Sequence, residues 1–423
     1  MALPGFRDFY PNDCAFRNSI FSQWRKVARR YGFIEYDGPP LEPLDLFTKK
    51  SGDEIVAQLY HFKDKGDRDV ALRPEMTPTL ARLVAARHRD FKKPLKWFSI
   101  PQVFRYERQQ KGRLREHYQL NCDIIGEAGL EADIELIALV IDVLRAFGLT
   151  TNDFVVRLSD RQFWTDFMER RSVPEDQRYA FIQAIDKSER ESREKTAEKL
   201  GPLASEVFSI LEDAASTKSD RLDAVEASLR LRGLQDYIKR DFTVVRGLAY
   251  YTGVVFEAFD RSGEFRAIAG GGRYDNLLKN LGNADLPALG FGMGDVVLGE
   301  ILKAKGLLVQ ARPPGLDMYV IITDPKFKSG ALKLIQAARD QNLSAEYAFN
   351  LQKPDFRSQL ETALQKRARL AVIFDAKLEH NTIGVKDLAA QIQEDVPLDP
   401  NEQIGIPFLI DYLRKKLERL SEK

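Results

Sequence analysis

Residues 98–126 contain side chains whose types and spacing suit an anionic, nitrogen-rich ligand. Residues 99–107 are β-branched and aromatic, which predicts a strand with Arg105 and Glu107 on the same face. A second predicted strand follows a basic loop. Period-two alternation places four polar side chains on one face of this returning strand: His117, Gln119, Asn121 and Asp123. The two strands together would form a polar floor with both charge signs.

The loop between these strands is strongly basic. Gly112 lies among the cations Arg108, Lys111, Arg113 and Arg115, and a polar run between two strand-like segments predicts a long hairpin loop. Alternating charged strands are also typical of hairpins at the edge of a half-solvated sheet. This segment alone is therefore consistent with a ligand-binding surface and also with a charged hairpin at the edge of a sheet.

Composition excludes several classes of protein. The chain of 423 residues has 64 Lys and Arg against 63 Asp and Glu, a net charge of +1, so contact with nucleic acid would require local basic patches. The two cysteines, Cys14 and Cys122, argue against a disulfide framework, and the four histidines lack zinc-ligand spacing. No apolar run is long enough for a membrane span, and no signal-peptide pattern begins the chain. We therefore expect a cytoplasmic protein without a resident metal.

Three further segments carry candidate binding residues. The segment LRPEMTP contains Glu75 and Thr77 where a helix is predicted to begin; a carboxylate and a hydroxyl suit an ammonium group, although an acidic first helical turn is also common. The segments RGLAYYTG and AGGGRYDNLL contain Arg246, Tyr251 and Tyr274. Consecutive glycines allow the backbone to approach a ligand closely.

These segments resemble the histidyl-tRNA synthetases, a family of class II aminoacyl-tRNA synthetases. The sequence FRYERQQKGRLREHYQ is similar to motif 2 of that family, with Gln109 and His117 in place of the usual Pro and Phe. RGLAYYTG and AGGGRYDNLL are similar to the two histidine-specific motifs, with Ala249 in place of Asp. LGFGMGDVVLGEIL occupies the position of motif 3, with Val296 and Val297 in place of the usual Glu and Arg.

The resemblance implies a role for each matching residue. Glu75, Thr77 and Gln119 would hold the amino group of histidine, and Asp123 and Tyr251 would bind its imidazole nitrogens, with Tyr274 lining the pocket. Residues implied in ATP binding are Arg105, Glu107, His117 and Arg246. Of these, Arg105 and Arg246 would grip the carboxylate and the α-phosphate during catalysis. Residues expected to contact tRNA are Arg108, Lys111 and Arg113.

The same resemblance predicts the domain organisation. Residues 1–160 and 241–308 would form an α+β catalytic domain, an antiparallel sheet flanked by helices. Residues 161–240 are rich in Glu, Lys, Arg and Ala with helical periods, which predicts a helical insertion. Residues 317–423 have a β-α-β-α-β order, which predicts a mostly parallel sheet covered by helices and resembles an anticodon-binding domain.

The function implied is ATP-dependent activation of L-histidine, with Mg²⁺ in the ATP complex, and transfer to tRNA-His by a homodimer. A regulatory, histidine-sensing subunit of ATP phosphoribosyltransferase is the alternative, because such a paralogue keeps the fold and Val297 replaces an ATP-binding Arg. An ATP-dependent ligase acting on a protein is a third. The arginines and the C-terminal domain favour the synthetase over both alternatives.

Overall fold

The structure is a computed structural model that describes residues 2–48, 56–107, 112–246, 250–282, 284–307, 312–352, 354–398 and 402–421. Arg108 and Lys111, two of the residues predicted to contact tRNA, lie outside these ranges, as do Gln109 and Ala249. The chain forms two compact units, Met1–Arg312 and Pro313–Lys423.

A large, mostly antiparallel sheet forms the centre of the first unit. The described strands of the first unit are β1 (Ile34–Glu35), β2 (Leu41–Pro43), β3 (Tyr60–Lys63), β4 (Asp69–Leu72), β5 (Leu95–Ser99), β6 (Gln102–Phe104), β7 (Glu116–Ile125), β8 (Phe154–Asp160), β9 (Ile238–Arg240), β10 (Val254–Asp260), β11 (Ala269–Arg273) and β12 (Ala288–Gly294). The strand order is β1-β5-β7-β12-β11-β10-β8-β9, with β6 beside β7 and a separate sheet β2-β4-β3. The pairs β1–β5 and β8–β9 are parallel. This architecture confirms the predicted α+β fold.

Helices cover this sheet and build its core. They are α1 (Pro11–Arg30), α2 (Asp45–Thr48), α3 (Thr77–Arg87), α4 (Glu131–Arg145), α5 (Arg161–Arg170), α6 (Glu175–Lys187), α7 (Arg193–Leu200), α8 (Ala204–Glu212), α9 (Asp220–Leu231), α10 (Leu277–Gly282) and α11 (Asp295–Ala304). The apolar helix α4 packs against β10, β11 and β12, and α1 adds the fully buried Trp24. Trp164 of α5 lies in the same core, so this helix is anchored to the sheet.

The segment predicted as one strand over residues 99–107 is divided in the structure. Ser99 ends β5, and β6 covers only Gln102–Phe104. Arg105 and Glu107 then lie beyond the end of β6, where the backbone N–H of Glu107 donates to the carbonyl of Arg105 at 2.8 Å. The predicted strand therefore does not extend to this pair, although both side chains line one cavity. Pro101, which has no N–H to donate to a ladder, separates the two strands.

The second unit contains a mixed sheet with helices. Its elements are β13 (Met318–Ile322), α12 (Lys328–Asp340), β14 (Ala345–Tyr347), α13 (Phe356–Gln365), β15 (Leu370–Phe374), β16 (Thr382–Asp387), β17 (Ile392–Pro397) and α14 (Glu402–Ser421). The order is β14-β13-β15-β16-β17. β13 is parallel to both β14 and β15, as predicted, whereas β16 is antiparallel to both β15 and β17. The connections around β16 are too short for the crossover that a parallel pair needs.

Candidate active site

The polar face predicted for β7 exists. Gln119, Asn121 and Asp123 line one cavity, while Leu120 and Cys122 point into the opposite core. The strand lies between β5 and β12 in the sheet, so its alternate residues have room for a ligand on one side only. The alternation in the sequence was sufficient to predict this face because only one side of the strand packs into the apolar core, which keeps the period of two.

Glycines keep the neighbouring part of the floor open. Gly290 and Gly292 of β12 pair with Asp123 and Asn121 of β7. A Cβ atom at Gly292 would lie 2.5 Å from Nε2 of Gln119, and one at Gly290 would overlap the Asp123 carboxylate. Side chains at these positions would therefore fill the space that Gln119 and Asp123 occupy.

The inner end of this cavity holds a buried carboxylate and a phenol. The hydroxyl of Tyr274 donates a hydrogen bond to Oδ1 of Asp123, and both residues are less than 5% exposed. Burial raises the pKa of Asp123 to about 7, and the Tyr274 hydrogen bond acts in the opposite direction. Tyr251 lines the same cavity, so the inner end offers hydrogen-bonding groups from three elements of the fold.

A second buried carboxylate, Glu75, lies in this cavity with Thr77, which begins α3. The hydroxyl of Tyr250 donates to Oε2 of Glu75 at 3.3 Å. Burial raises the pKa of Glu75, whereas the charge of Arg105 lowers it. The segment is fixed beside β6, since Nε of Arg105 donates to the carbonyl of Pro74 at 2.9 Å. The cavity thus has acceptors suited to an ammonium group.

An adjoining cavity of about 230 Å³ is rich in arginine. Its polar lining residues include Arg105, Glu107, Arg113, His117, Arg246 and Arg266. Burial lowers the pKa of His117 to about 3, helped by the charges of Arg105, Arg7 and Arg113. His117 is therefore neutral at physiological pH, and its ring can face an uncharged aromatic group. Val296 and Val297 form part of the wall.

Arg105, Gln119 and Arg246 line both cavities. Of these, Arg246 has φ +58°, a left-handed conformation that is uncommon for a residue with a side chain. Its Nη1 forms an ion pair with Glu257 of β10. Arg105 and Arg246 are therefore two cations that lie where the cavity containing Asp123 meets the arginine-rich cavity.

The structure brings most of the predicted binding residues together around the two cavities. Arg113, predicted to contact tRNA, lines the arginine-rich cavity and forms an ion pair with Glu107. Three further residues at these cavities, Tyr250, Glu257 and Arg266, were not predicted from the sequence. Tyr250 could have been proposed because it is adjacent to the predicted residue Tyr251. The position of Glu257 depends on the register between two strands, which no local sequence pattern predicts.

No helix in the described ranges has the length and apolar character of a membrane span. Among those residues, no group of three or more His, Cys, Asp or Glu side chains is placed to hold a metal ion.

The chain is similar to known proteins along nearly its whole length. A family model described as histidyl-tRNA synthetase matches residues 5–294. The histidine–tRNA ligase of Opitutus terrae is 45% identical and covers 94% of this chain and 95% of its own length. The chloroplastic/mitochondrial histidine–tRNA ligase of Arabidopsis thaliana is 39% identical, with 94% and 85% covered. A crystal structure of the histidyl-tRNA synthetase from Nostoc sp. PCC 7120 has the same fold, with a TM-score of 0.77, 21% identity, and 98% and 99% of the two chains covered. The chain therefore belongs to the histidyl-tRNA synthetase family.

Proposed function

We propose that the protein is a histidine–tRNA ligase, which activates L-histidine with ATP and then transfers the histidyl group to tRNA-His. The observation that carries this proposal is the junction of the two cavities at Arg105 and Arg246. One cavity offers carboxylates and phenols to an amino acid, and the other offers arginines to a triphosphate. The reacting carboxylate and α-phosphate would meet between the two arginines.

Histidine would occupy the cavity that contains Asp123. Its amino group would bind Glu75, Thr77 and Gln119, because an ammonium needs a carboxylate and neutral acceptors at hydrogen-bond distance. Its imidazole nitrogens would bind Asp123 and Tyr251. Tyr274 would orient the Asp123 carboxylate through the hydrogen bond that it already donates.

ATP would occupy the arginine-rich cavity. Arg105 and Arg246 would contact the α-phosphate, and the neutral ring of His117 would face the adenine. Mg²⁺ would enter with the substrate as the ATP complex. Glu107 fits the role of a ligand for this Mg²⁺. It contributes a carboxylate to the cavity, and its Oε1 is buried without a hydrogen-bond partner among the described residues.

The chemical step forms one bond and breaks one. A carboxylate oxygen of histidine attacks the α-phosphorus, the bond to the bridging oxygen of the β-phosphate breaks, and pyrophosphate leaves with that electron pair. Negative charge accumulates around one phosphorus in the transition state. Arg105 and Arg246 would stabilise this charge, and preorganised cations are effective because they need no reorganisation during the reaction.

Further assignments concern tRNA, assembly and location. Arg108, Lys111 and Arg113 would contact the tRNA, and residues 317–423 would bind its anticodon. Residues 161–240 would form a helical insertion in a catalytic domain made of residues 1–160 and 241–308. The family resemblance and the presence of a separate compact unit from Pro313 onwards support these assignments. The enzyme would act as a cytoplasmic homodimer.

A regulatory, histidine-sensing subunit is the second candidate. The observation in its favour is that Val296 and Val297 line the proposed nucleotide cavity at the place of the family's Glu and Arg. Arg105 and Arg246 oppose it, because sensing histidine alone requires no phosphate-binding arginines. Histidine-dependent ATP–pyrophosphate exchange separates the two candidates, since a sensor would bind histidine without exchange.

Arg246→Ala tests the mechanism within the same assay. We expect exchange to fall by roughly 100-fold to 1000-fold, by analogy with the loss of an oxyanion-stabilising donor. Arg246→Lys should be nearly as poor, because an ammonium cannot reproduce the forked donor geometry of a guanidinium. Arg261→Ala is the matched control, since Arg261 lies beyond β10 and donates to the carbonyl of Thr151. Exchange within a few-fold of the parent in Arg246→Ala would contradict this mechanism.

A further inference from the structure

Glu257 and Gly270 occupy paired positions on neighbouring strands beneath Arg246. Glu257 of β10 lies directly opposite Gly270 of β11 in the antiparallel register. Residues directly opposite in such a pair extend their side chains from the same face of the sheet. The carboxylate of Glu257 therefore stands beside a position that has no side chain, and it pairs there with Nη1 of Arg246.

Gly270 provides the space in which the guanidinium lies. A Cβ atom at this position would overlap Nη1 of Arg246 and lie 2.6 Å from its Cζ. Gly270 also lines both cavities. The Arg246 guanidinium thus packs over Gly270, and its Nη1 pairs with the carboxylate of Glu257.

The backbone before Arg246 is fixed independently by α5. Nη1 of Arg161 donates to the carbonyl of Val245 at 3.1 Å, and Nε1 of Trp164 donates to the carbonyl of Phe242 at 3.1 Å. Positions three apart lie on the same face of a helix, so one face of α5 holds two carbonyls of this segment. The backbone origin of the Arg246 side chain is therefore fixed, and its remaining freedom lies in the side-chain torsions.

We infer that Glu257 is a positioning residue that holds the Arg246 guanidinium over Gly270, at the junction of the two cavities. The pair is not a freely solvated surface contact, since only about one-fifth of each side chain is exposed. Nε of Arg246 is also buried without a hydrogen-bond partner among the described residues. The guanidinium also lies near Tyr251, with its Cζ 5.7 Å from the centroid of that ring, and Glu257 supplies the carboxylate that pairs with Nη1. The inference rests on the proposed role of Arg246 in adenylate formation.

Glu257→Gln tests this inference because it preserves shape and removes charge. We expect kcat for histidine-dependent exchange to fall about 10-fold to 100-fold, by analogy with the loss of groups that orient catalytic ligands, with KM for histidine and ATP nearly unchanged. Glu264→Gln, at an exposed carboxylate on the following turn, is the matched control. Gly270→Ala should lower kcat with Glu257 intact, because the added methyl group displaces the guanidinium.

A chemical rescue separates positioning from a general loss of structure. Guanidinium added to Arg246→Ala should restore part of the exchange activity, and the double variant Arg246→Ala/Glu257→Gln should need a higher guanidinium concentration for the same rescue. Without guanidinium, Glu257→Gln and Gly270→Ala should each add little to the defect of Arg246→Ala.

The outcomes distinguish the two proposals. A strong defect in Arg246→Ala with parent-like exchange in Glu257→Gln overturns the inference and leaves the proposed function intact. Additive defects, or guanidinium rescue that is independent of Glu257, also overturn the inference. Parent-like exchange in Arg246→Ala overturns the proposed mechanism and the inference together.

Discussion

Asp123 is expected to destabilise the folded protein, in addition to its proposed role in binding histidine. Its pKa is raised from 3.8 to about 7, mainly by burial. The native state therefore binds more protons than the unfolded state between these values, so the free energy of unfolding falls as pH rises through this window and the loss is complete above about pH 7. The cost at pH 8 is on the order of a few kcal/mol.

Asp123→Asn should therefore change stability and binding in opposite directions. We expect the ligand-free variant to have a higher Tm than the parent at pH 8, with a difference that shrinks towards pH 5, because Asn carries no charge at either pH. The same variant should have a higher KM for histidine, since an imidazole N–H loses its charged acceptor. Thermal unfolding across this pH range and exchange kinetics measure both effects. A lower Tm at pH 8 would contradict the proposed cost.

The position of a side chain could be predicted from the sequence where a single local rule, such as alternation along a strand, determines it. The polar face of β7 follows from alternation, so His117, Gln119 and Asp123 were placed on one face from sequence alone. Glu257 could not be found in this way, because its importance arises from pairing with Gly270 on another strand. The strand predicted to reach Glu107 ends at Phe104, because the backbone after it is held by contacts outside this segment, including a bond from the Arg105 N–H to the carbonyl of Arg115 at 2.9 Å.

The strand β12 offers a graded test at the scale of one element. Gly290→Ala and Gly292→Ala should each raise KM for histidine, because the new methyl groups would displace the Asp123–Tyr274 pair and the Gln119 amide. Gly294→Ala is the control on the same strand face, since its Cβ would meet His117 Cδ2 at an ordinary 3.7 Å. We expect KM for histidine to stay unchanged in that variant. Equal effects at all three positions would show that β12 tolerates no side chain for reasons of folding.

The elements themselves were largely predictable, and their arrangement was less so. The buried helix α4 and the start of α3 near Thr77 follow from periodicity and end signals. The glycine-rich strand that runs into α11 follows from the resemblance to motif 3. The second sheet was predicted to be mostly parallel, but two of its strand pairs are antiparallel. Strand direction depends on how the chain connects β15, β16 and β17, and the pattern within each strand carries no information about those connections.

At the scale of the whole molecule, the two compact units have separate hydrophobic cores. Leu334→Ala should destabilise the second unit by about 2 to 5 kcal/mol, because Leu334 is fully buried there. Histidine-dependent exchange should remain near the parent value, since the proposed activation residues all lie in the first unit. Charging of tRNA-His should fall as the temperature approaches the unfolding of the second unit.

Leu364→Ala is the control for this variant, because Leu364 is 45% exposed in the same unit. Parallel loss of exchange and charging in Leu334→Ala would show that activation depends on the second unit.

The two hydrogen bonds from α5 to the segment before Arg246 limit how far this protein can be re-engineered by module exchange. Arg161 and Trp164 open the predicted insertion, yet they hold the backbone from which a proposed catalytic side chain extends. A chimera that replaced residues 161–240 wholesale would remove both donors. Grafted modules should therefore be joined after Trp164, so that the helical region can vary while the geometry of adenylate formation is inherited unchanged.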